Sequence, residues 1–162
     1  MGRNMKKQEM EAKIHSAIDE LFKRDKILLN IDVNERTITH RLAIYIEAEF
    51  SGWDVDCEYN RFFDKSKQIV VTKKLLSISG DGITSVANEN AKTVFPDIII
   101  HRRNSSDNLV AIEVKKTTNP ISDDEDLQKL QAYKEQIGYV YAVFIRFVTG
   151  ATEIGIQRLE VI

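Results

Sequence analysis

The sequence has little of what marks secreted, fibrous or membrane-spanning proteins. Only one of the 162 residues is a cysteine, so no internal disulfide can form and the fold does not depend on an oxidising compartment. Two prolines and seven glycines exclude a collagen-like or low-complexity chain. The longest apolar run, residues 139–148, is interrupted by Arg146 and is far too short to span a bilayer. The N-terminal residues are polar and charged, without the apolar core of a secretory signal, so we expect a cytoplasmic protein with no membrane partner.

The composition that remains is that of an ordinary soluble domain, with 43% hydrophobic and 30% charged residues. The length predicts one compact domain over residues 1–162. A formal net charge of -2 argues against a polycation that holds nucleic acid by charge alone, but it does not exclude a local basic surface. Candidate phosphate contacts lie in the middle of the chain: Arg61, Lys73, Lys74, Arg102, Arg103 and Lys116. A solvated charged surface is the alternative explanation.

Residue periodicity predicts two helices and a strand in the first part of the chain. Apolar residues recur at helical spacing across 5–24. Asn34 is a favourable N-cap, so a second helix should run from there to about residue 50. Alternating apolar residues predict a strand over 53–59, in which we expect Cys57 to be a small buried hydrophobe. We interpret residues 60–93 as an insertion into the core.

The second part of the chain predicts a sheet with helices packed on it. Two β-branched segments, 94–101 and 109–116, flank a polar turn and should form a hairpin. A helix should begin near Ser122 or Asp123 and end near residue 138. The continuous apolar segment 139–148 predicts a strand buried on both faces, and 153–162 predicts an edge strand. The expected fold is therefore an α/β layered domain with a mixed sheet.

Three charged residues in the predicted hairpin should converge. Side chains alternate along a strand, so Glu113 and Lys115 must point to one face. Symmetric pairing about the turn puts Asp97 across from Glu113, with side chains about 5 Å apart. The same register has two further pairs, Ile99 opposite Ala111 and His101 opposite Leu109.

Charges in such apolar strands are costly unless they are paired or bound to metal. Two adjacent carboxylates raise each other's pKa, and a divalent cation removes that conflict. Oxygen ligands without a Cys or His cluster favour Mg²⁺ or Mn²⁺. The alternative is an exposed surface ion pair between Glu113 and Lys115.

Two short motifs lie on the two strands of the hairpin: Phe95-Pro96-Asp97, and Ile112-Glu113-Val114-Lys115. Together they resemble the PD-(D/E)XK nuclease superfamily, whose restriction-endonuclease-like fold has a core of one helix, three strands, a helix and a strand. That order fits the elements predicted over residues 35–148. The resemblance therefore implies a restriction-endonuclease-like mixed sheet flanked by helices, with the helix 5–24 and the insertion 60–93 added to the core.

The resemblance also implies roles for individual residues. Asp97 and Glu113 would ligate Mg²⁺ or Mn²⁺ together with the backbone carbonyl of Val114. Lys115 would hold or activate the attacking water and stabilise charge on the scissile phosphate. Members of the superfamily often add an acid from the preceding helix, and Glu35 is the candidate here. Glu35 lies on the apolar stripe of that helix, although a first-turn acid that favours the helix dipole is the alternative.

Two further residues are candidates for supporting the site. Lys129 lies on the third helix, where related nucleases often place a polar residue facing the site. Glu58 would be a supporting acid if its strand face looks toward the metal, and a solvated residue otherwise.

The function expected from these residues is metal-dependent hydrolysis of phosphodiester bonds, with DNA as the substrate. Cleavage of both strands would suit a homodimer or a larger complex. RNA is an alternative substrate. From a different class, the alternative is a catalytically inactive nucleic-acid-binding or protein-interaction domain with the same fold, which the mildly acidic net charge favours.

Overall fold

The computed structural model describes residues 5–58, 61–62, 65–66, 68–70, 91–93 and 95–162. The elements in chain order are α1 (Lys7–Arg24), α2 (Lys26–Asn30), α3 (Glu35–Glu49), β1 (Asp54–Cys57), β2 (Arg61–Phe62), β3 (Lys65–Ser66), β4 (Gln68–Val70), β5 (Ala91–Thr93), β6 (Ile98–His101), β7 (Asn108–Lys116), α4 (Asp124–Ala132), β8 (Tyr141–Val148) and β9 (Gly155–Val161). The predicted insertion lies largely outside the described residues. Its described parts form two small antiparallel pairs, β2 with β3 and β4 with β5.

The central sheet has five strands in the order β1-β6-β7-β8-β9. Strands β7 and β8 are parallel, and the other neighbouring pairs are antiparallel. The sheet is therefore mixed, and β9 lies at its edge as predicted. The α4 crossover between β7 and β8 explains the parallel pair, because parallel neighbours need a long connection.

The predicted hairpin register is confirmed at one pair and wrong at another. Ile99 lies opposite Ala111, as expected. His101 pairs with Asn108 instead of Leu109, because the register shifts by a bulge after Ile100.

Helices cover both faces of the sheet. The apolar residues of α1 predicted to be buried form a continuous inner face: Met10, Ile14, Ala17, Ile18 and Leu21. This face and α3 pack on one side of the sheet, against alternate residues of β7 such as Val110 and Ile112. On the other side, α4 contributes Leu130 to a second apolar cluster that includes Ala111. The protein is thus α/β, with a five-stranded mixed sheet flanked by helices.

The ends of the helices follow local sequence signals. The Asn34 side chain accepts a hydrogen bond from the N–H of Thr37 at 2.8 Å and caps α3 as predicted. The helix predicted to begin near Ser122 or Asp123 does not end with α4. It continues as a π-helical turn, Tyr133–Ile137, that stops at Gly138 with φ of 89°. Of the helices in the described ranges, none combines the length and the apolar character that crossing a membrane requires.

The expectation that Cys57 is a buried hydrophobe is wrong, because its side chain is exposed. Cys57 is the last residue of β1, which is itself an edge strand of the main sheet. The alternation of apolar residues therefore does not indicate burial at this end of the strand.

Candidate active site

The carboxyl groups of Asp97 and Glu113 meet where β6 begins. The pairing of β6 with β7 ends at Ile98 opposite Ile112. Beyond that pair, the Asp97 side chain replaces a strand partner, since its Oδ2 accepts a hydrogen bond from the N–H of Val114 at 2.7 Å. Asp97 therefore lies just outside the strand, and its carboxylate is fixed by the backbone of β7.

Glu113 is buried beside Asp97 at 4% exposure. Its Oε1 accepts a hydrogen bond from the hydroxyl of Tyr133, which belongs to the π-helical turn, at 3.0 Å. Single π-turns are frequent at functional sites. Here the turn carries a buried phenol to one oxygen of a buried acid, so the acid is oriented from the α4 side of the sheet.

Burial and mutual proximity perturb both acids. Burial raises the pKa of Glu113 well above its ordinary value, and the nearby Asp97 carboxylate raises it further. Burial also raises the pKa of Asp97 to about 6, although hydrogen bonds with Val114 and with the Glu113 carboxyl oppose the increase. Both carboxyl groups therefore hold a proton more tightly than isolated acids do, although the Lys129 ammonium opposes the increase in pKa at each of them.

Lys129 of α4 brings a positive charge to Glu113. Its Nζ lies 3.6 Å from Glu113 Oε2 and 3.0 Å from Asp126 Oδ1. Burial alone would lower the Lys129 pKa, but the carboxylates of Glu113 and Asp126 outweigh burial and raise it above its usual range. Lys129 is thus a fixed positive charge at the carboxyl pair, where the sequence suggested only a supporting residue.

Lys115 shares the sheet face of Glu113 but is bound elsewhere. Its Nζ contacts Asp126 Oδ2 at 2.7 Å and donates to the carbonyl of Ser122 at 2.9 Å. Glu113 and Lys115 are each only 4% exposed, so the alternative of an exposed ion pair between them is wrong. In the part of the chain that the structure describes, the Lys115 ammonium is thus held by Asp126 and the Ser122 carbonyl and not by the carboxyl pair.

Asp126 holds both lysines but is not among the residues predicted for the site. A usable signal existed, because Asp126, Lys129 and Tyr133 are spaced by three and four residues and so share one helix face.

Glu35 is directed toward the sheet, as its position on the apolar stripe predicts. Its Oε2 accepts hydrogen bonds from the N–H of Lys116 at 3.1 Å and from the side-chain amide of Asn119 at 2.8 Å. A first-turn acid that serves only the helix dipole would not make these contacts. Asp97 and Glu35 thus bind alternate N–H groups, those of Val114 and Lys116, along the same edge of β7.

Asp97 and Glu35 open onto one cavity of about 420 Å³, here called the α3 cavity. Its lining residues are Glu35, Arg36, Thr39, His40, Cys57, Glu58 and Asp97. Glu58, the other predicted supporting acid, reaches this cavity but not the carboxyl pair. Its Oε1 lies 3.0 Å from Nη2 of Arg36.

Two of the predicted phosphate contacts, Arg102 and Arg103, lie away from the carboxyl pair. Arg102 and Arg103 follow the far end of β6, about 16 Å along the chain from Asp97 at the usual rise per strand residue. Arg102 pairs with Asp107, and Arg103 pairs with Asp54 and Asp56.

The remaining predicted contacts differ in what the structure describes. The Lys116 ammonium donates to Asp32 Oδ1 and to the carbonyls of Asp32 and Val33, so it fixes the segment before α3. Arg61 lies in β2. Lys73 and Lys74 fall outside the described residues.

The donor set can be tested against a hard divalent cation. In the described part of the chain, no three His, Cys, Asp or Glu side chains are grouped so as to hold a metal ion. The available protein ligands are the carboxylates of Asp97 and Glu113, with the Val114 carbonyl. The N–H and C=O of one strand residue point to the same edge, and the N–H of Val114 meets Asp97. Two carboxylates and a carbonyl fit Mg²⁺, which keeps several waters.

The site thus combines two perturbed acids, a fixed ammonium and a third acid that lines the same cavity as Asp97, an arrangement suited to proton transfer or to oxygen ligation of a cation. No protein-family model, no curated protein and no solved structure matches this chain.

Proposed function

We propose that this protein is a metal-dependent nuclease that hydrolyses phosphodiester bonds, with DNA as its substrate. The observation that carries the proposal is the pair of neighbouring acids, Asp97 and Glu113, held in place by the N–H of Val114 and the hydroxyl of Tyr133 beside the Lys129 ammonium. A pair of acids held together in an apolar sheet costs stability, which is typical of functional sites. A divalent cation would offset the repulsion between the two carboxylates and so reduce that cost.

The arrangement of elements supports a restriction-endonuclease-like fold. Apart from the two small pairs formed by β2 to β5, the helix α3 is followed by β1, β6 and β7, and then by α4 and β8. This is the order of one helix, three strands, a helix and a strand that characterises the PD-(D/E)XK superfamily. The two acids also lie on neighbouring strands, with Asp97 just before one and Glu113 inside the next.

The proposed roles follow from contacts. Asp97 and Glu113 would hold Mg²⁺ or Mn²⁺ with the carbonyl of Val114. When bound, the cation polarises phosphoryl oxygens and lowers the pKa of a water ligand. Tyr133 orients Glu113, and the N–H of Val114 orients Asp97, so neither acid has to reorganise.

The cation that stabilises negative charge on the phosphate is assigned to Lys129. Lys129 lies within 3.6 Å of Glu113, whereas Lys115 is bound to Asp126 and to the Ser122 carbonyl. Lys115 then acts through Asp126, which holds both ammonium groups. This exchange of roles is the main difference from the pattern that the sequence motif implies.

Cleavage assays test the proposal directly. Linear, circular and branched DNA, and RNA, are incubated with Mg²⁺ or Mn²⁺ and with the wild type, Asp97→Asn or Glu113→Gln. We expect DNA cleavage that EDTA abolishes and that each substitution lowers about 1000-fold, because metal ligation supplies several kcal/mol. Asp124→Asn, which removes an exposed acid from α4, is the matched control and should cleave normally. Equal cleavage by all four proteins would show that the activity lies elsewhere.

The two lysines are separated by a second pair of variants. Lys129→Met should reduce cleavage about 100-fold, because it removes a fixed charge at the reacting group. Lys115→Met should mainly reduce stability, by about 2–3 kcal/mol in urea unfolding, because it breaks a buried ion pair. An inactive but stable Lys115→Met protein, together with an active Lys129→Met protein, would contradict the assignment.

The alternative function is a catalytically inactive nucleic-acid-binding or protein-interaction domain. The engagement of Lys115 by Asp126 is the observation that favours it, since it departs from the motif's implied chemistry. Under this alternative, wild type would cleave none of the substrates, and neither Mg²⁺ nor Mn²⁺ would change its thermal stability.

Oligomeric state belongs to the same proposal. One site cuts one strand at a time, so cutting both strands of a duplex would need a homodimer or a larger complex. Sedimentation with and without DNA would measure this.

A further inference from the structure

The α3 cavity has one wall that is not acidic. Of its three acids, Glu35 and Asp97 lie on the sheet side and Glu58 follows β1, while α3 presents Arg36 and His40, which are one helical turn apart, with Thr39 between them. The Arg36 side chain is 82% exposed. A cation and two further potential hydrogen-bond donors therefore face the space beside the carboxyl pair.

The Arg36 guanidinium forms an ion pair with a carboxylate of the protein itself. Glu58 Oε1 lies 3.0 Å from Arg36 Nη2, which joins α3 to the end of β1 along the cavity. The two side chains are 82% and 49% exposed, so the ion pair is open to solvent. Exposed pairs of this kind contribute only about 0–1 kcal/mol, and a competing anion can therefore displace the carboxylate.

The backbone at Glu58 is held in an uncommon conformation. Its φ is 50°, a region that non-glycine residues rarely adopt. The N–H of Glu58 donates to the carbonyls of Pro96 and Asp97, at 3.1 and 3.2 Å. Glu58 is thus anchored to the residue that carries one of the site acids, and strained residues of this kind occur at ligand sites.

We propose that Arg36, Thr39 and His40 bind a phosphate of the nucleic-acid backbone next to the cleaved bond. Glu58 remains paired with Arg36 until this phosphate displaces the Glu58 carboxylate. The inference rests on the proposed function and identifies the surface through which the substrate reaches the acids.

The chemistry of the cavity fits a phosphodiester chain. A planar guanidinium matches phosphate geometry, and hydroxyl and imidazole groups are common phosphate donors. A volume of about 420 Å³ is in the range of ligand sites, and it accommodates a nucleotide-sized part of a longer chain. Arg36 lines the cavity that Asp97 lines, whereas Arg102 and Arg103 are bound to acids at the far end of β6.

Binding measurements in EDTA test this inference without requiring catalysis. Fluorescence anisotropy of a labelled DNA duplex, and of its single strand, gives the affinity of each variant at several salt concentrations. Arg36→Ala should weaken binding about 10-fold, as expected for a charge-assisted hydrogen bond, and should reduce the salt slope by about one. Glu58→Gln should strengthen binding about 3-fold, because it removes the competing carboxylate.

A second ion pair provides the control. Arg24 and Glu20 form an exposed pair on α1 that does not line the α3 cavity. Arg24→Ala and Glu20→Gln make the same changes in net charge and should leave affinity nearly unchanged. If they alter binding as much as the Arg36 and Glu58 variants do, general charge explains the effect and the inference fails.

The outcomes separate this inference from the proposed function. DNA binding that depends on Arg36, without any cleavage in Mg²⁺ or Mn²⁺, would support the phosphate site and refute the nuclease. Cleavage that Arg36→Ala and Glu58→Gln leave unchanged would support the nuclease and refute the phosphate site. Failure of the wild type to bind either DNA would also refute it.

Discussion

At the scale of single residues, the candidate site is a compromise between folding and function. Glu113 is buried, and Asp97 lies beside it with a backbone N–H as its hydrogen-bond donor. Both pKa values are raised, mainly by burial. The native state therefore binds a proton that the unfolded chain would release, and the protein gives up stability whenever that proton is lost.

This compromise predicts how Asp97 changes stability with pH. Burial raises the Asp97 pKa from 3.8 to about 6 on folding, so the folded state holds the proton more tightly. Stability is lost as the pH rises from about 4 to about 6, and the loss of about 3 kcal/mol persists above that range. Asp97→Asn keeps an oxygen for the Val114 N–H but removes the titrating group. In EDTA, the variant should therefore be more stable than wild type at pH 8, and the difference should disappear near pH 4.

Urea unfolding at several pH values measures this effect. Asp124→Asn is the control, because Asp124 is exposed and has no part in the pair. Other acids, such as Asp25 and Asp56, have lowered pKa values and change stability in the opposite direction, so only the difference between variant and wild type is informative. A difference that is the same at pH 4 and pH 8 would mean that Asp97 is not the group that titrates.

The residues of the site were partly predictable from sequence. Alternation along a strand is a strict rule, so it correctly placed Glu113 and Lys115 on one face of β7. It could not say which acid Lys115 would meet, because that depends on how α4 is rotated against the sheet. The contact between Asp126 and Lys115 joins residues from different elements, and single-element periodicity carries no information about it.

At the scale of elements, α3 carries both the acid Glu35 and the wall of the α3 cavity that Arg36, Thr39 and His40 form. Its first turn carries Glu35 to the N–H of Lys116 and presents Arg36 to the cavity. The turn is fixed by Asn34, whose Oδ1 accepts from both the N–H and the hydroxyl of Thr37. The turn that carries Glu35 and Arg36 is therefore fixed by one helix cap.

Replacing this cap should reduce stability by a definite amount. Asn34→Ala removes an acceptor for the N–H of Thr37, which should cost about 1 kcal/mol, whereas Asn34→Gly should cost only a few tenths. For a domain of this size the alanine variant should melt about 2–4 °C lower. Thermal melting of the three proteins measures this, and an alanine variant as stable as wild type would mean that the cap contributes nothing.

Element types were easier to predict than their exact pairing. Long segments such as α1 and the strand β8 were predicted correctly, because the residues that they bury give each of them a clear apolar pattern in the sequence. The bulge after Ile100 and the π-helical turn were not, since each changes the spacing by a single residue without a distinctive composition. The π-helical turn bears directly on the site, because it carries the Tyr133 hydroxyl to Glu113.

At the scale of the whole molecule, the site lies at the junction of all three layers. Strand β7 is central in the sheet and supplies Glu113, while α4 covers one face with Lys129 and α3 covers the other with Glu35. A ligand that binds at this junction must hold the layers together. Its binding free energy should therefore appear as resistance of the whole domain to unfolding.

Metal addition should stabilise the fold, and this is the global test of the proposed site. At a free concentration about 100 times its dissociation constant, Mg²⁺ or Mn²⁺ should add about 2.7 kcal/mol to the free energy of unfolding. That corresponds to an increase of about 5–10 °C in Tm for a domain of this size. The increase should be larger at pH 8 than at pH 5, because at the lower pH a proton competes with the cation for Asp97 and Glu113.

Variants assign that stabilisation to the site. Asp97→Asn should lose most of the metal-induced increase in Tm while having a higher Tm than wild type in EDTA, a combination that general destabilisation cannot produce. Asp124→Asn should respond to metal like the wild type, because Asp124 lies outside the carboxyl pair. A wild-type Tm that is insensitive to both cations, or an increase that Asp97→Asn retains in full, would show that the two acids hold a proton for structural reasons and do not bind a metal.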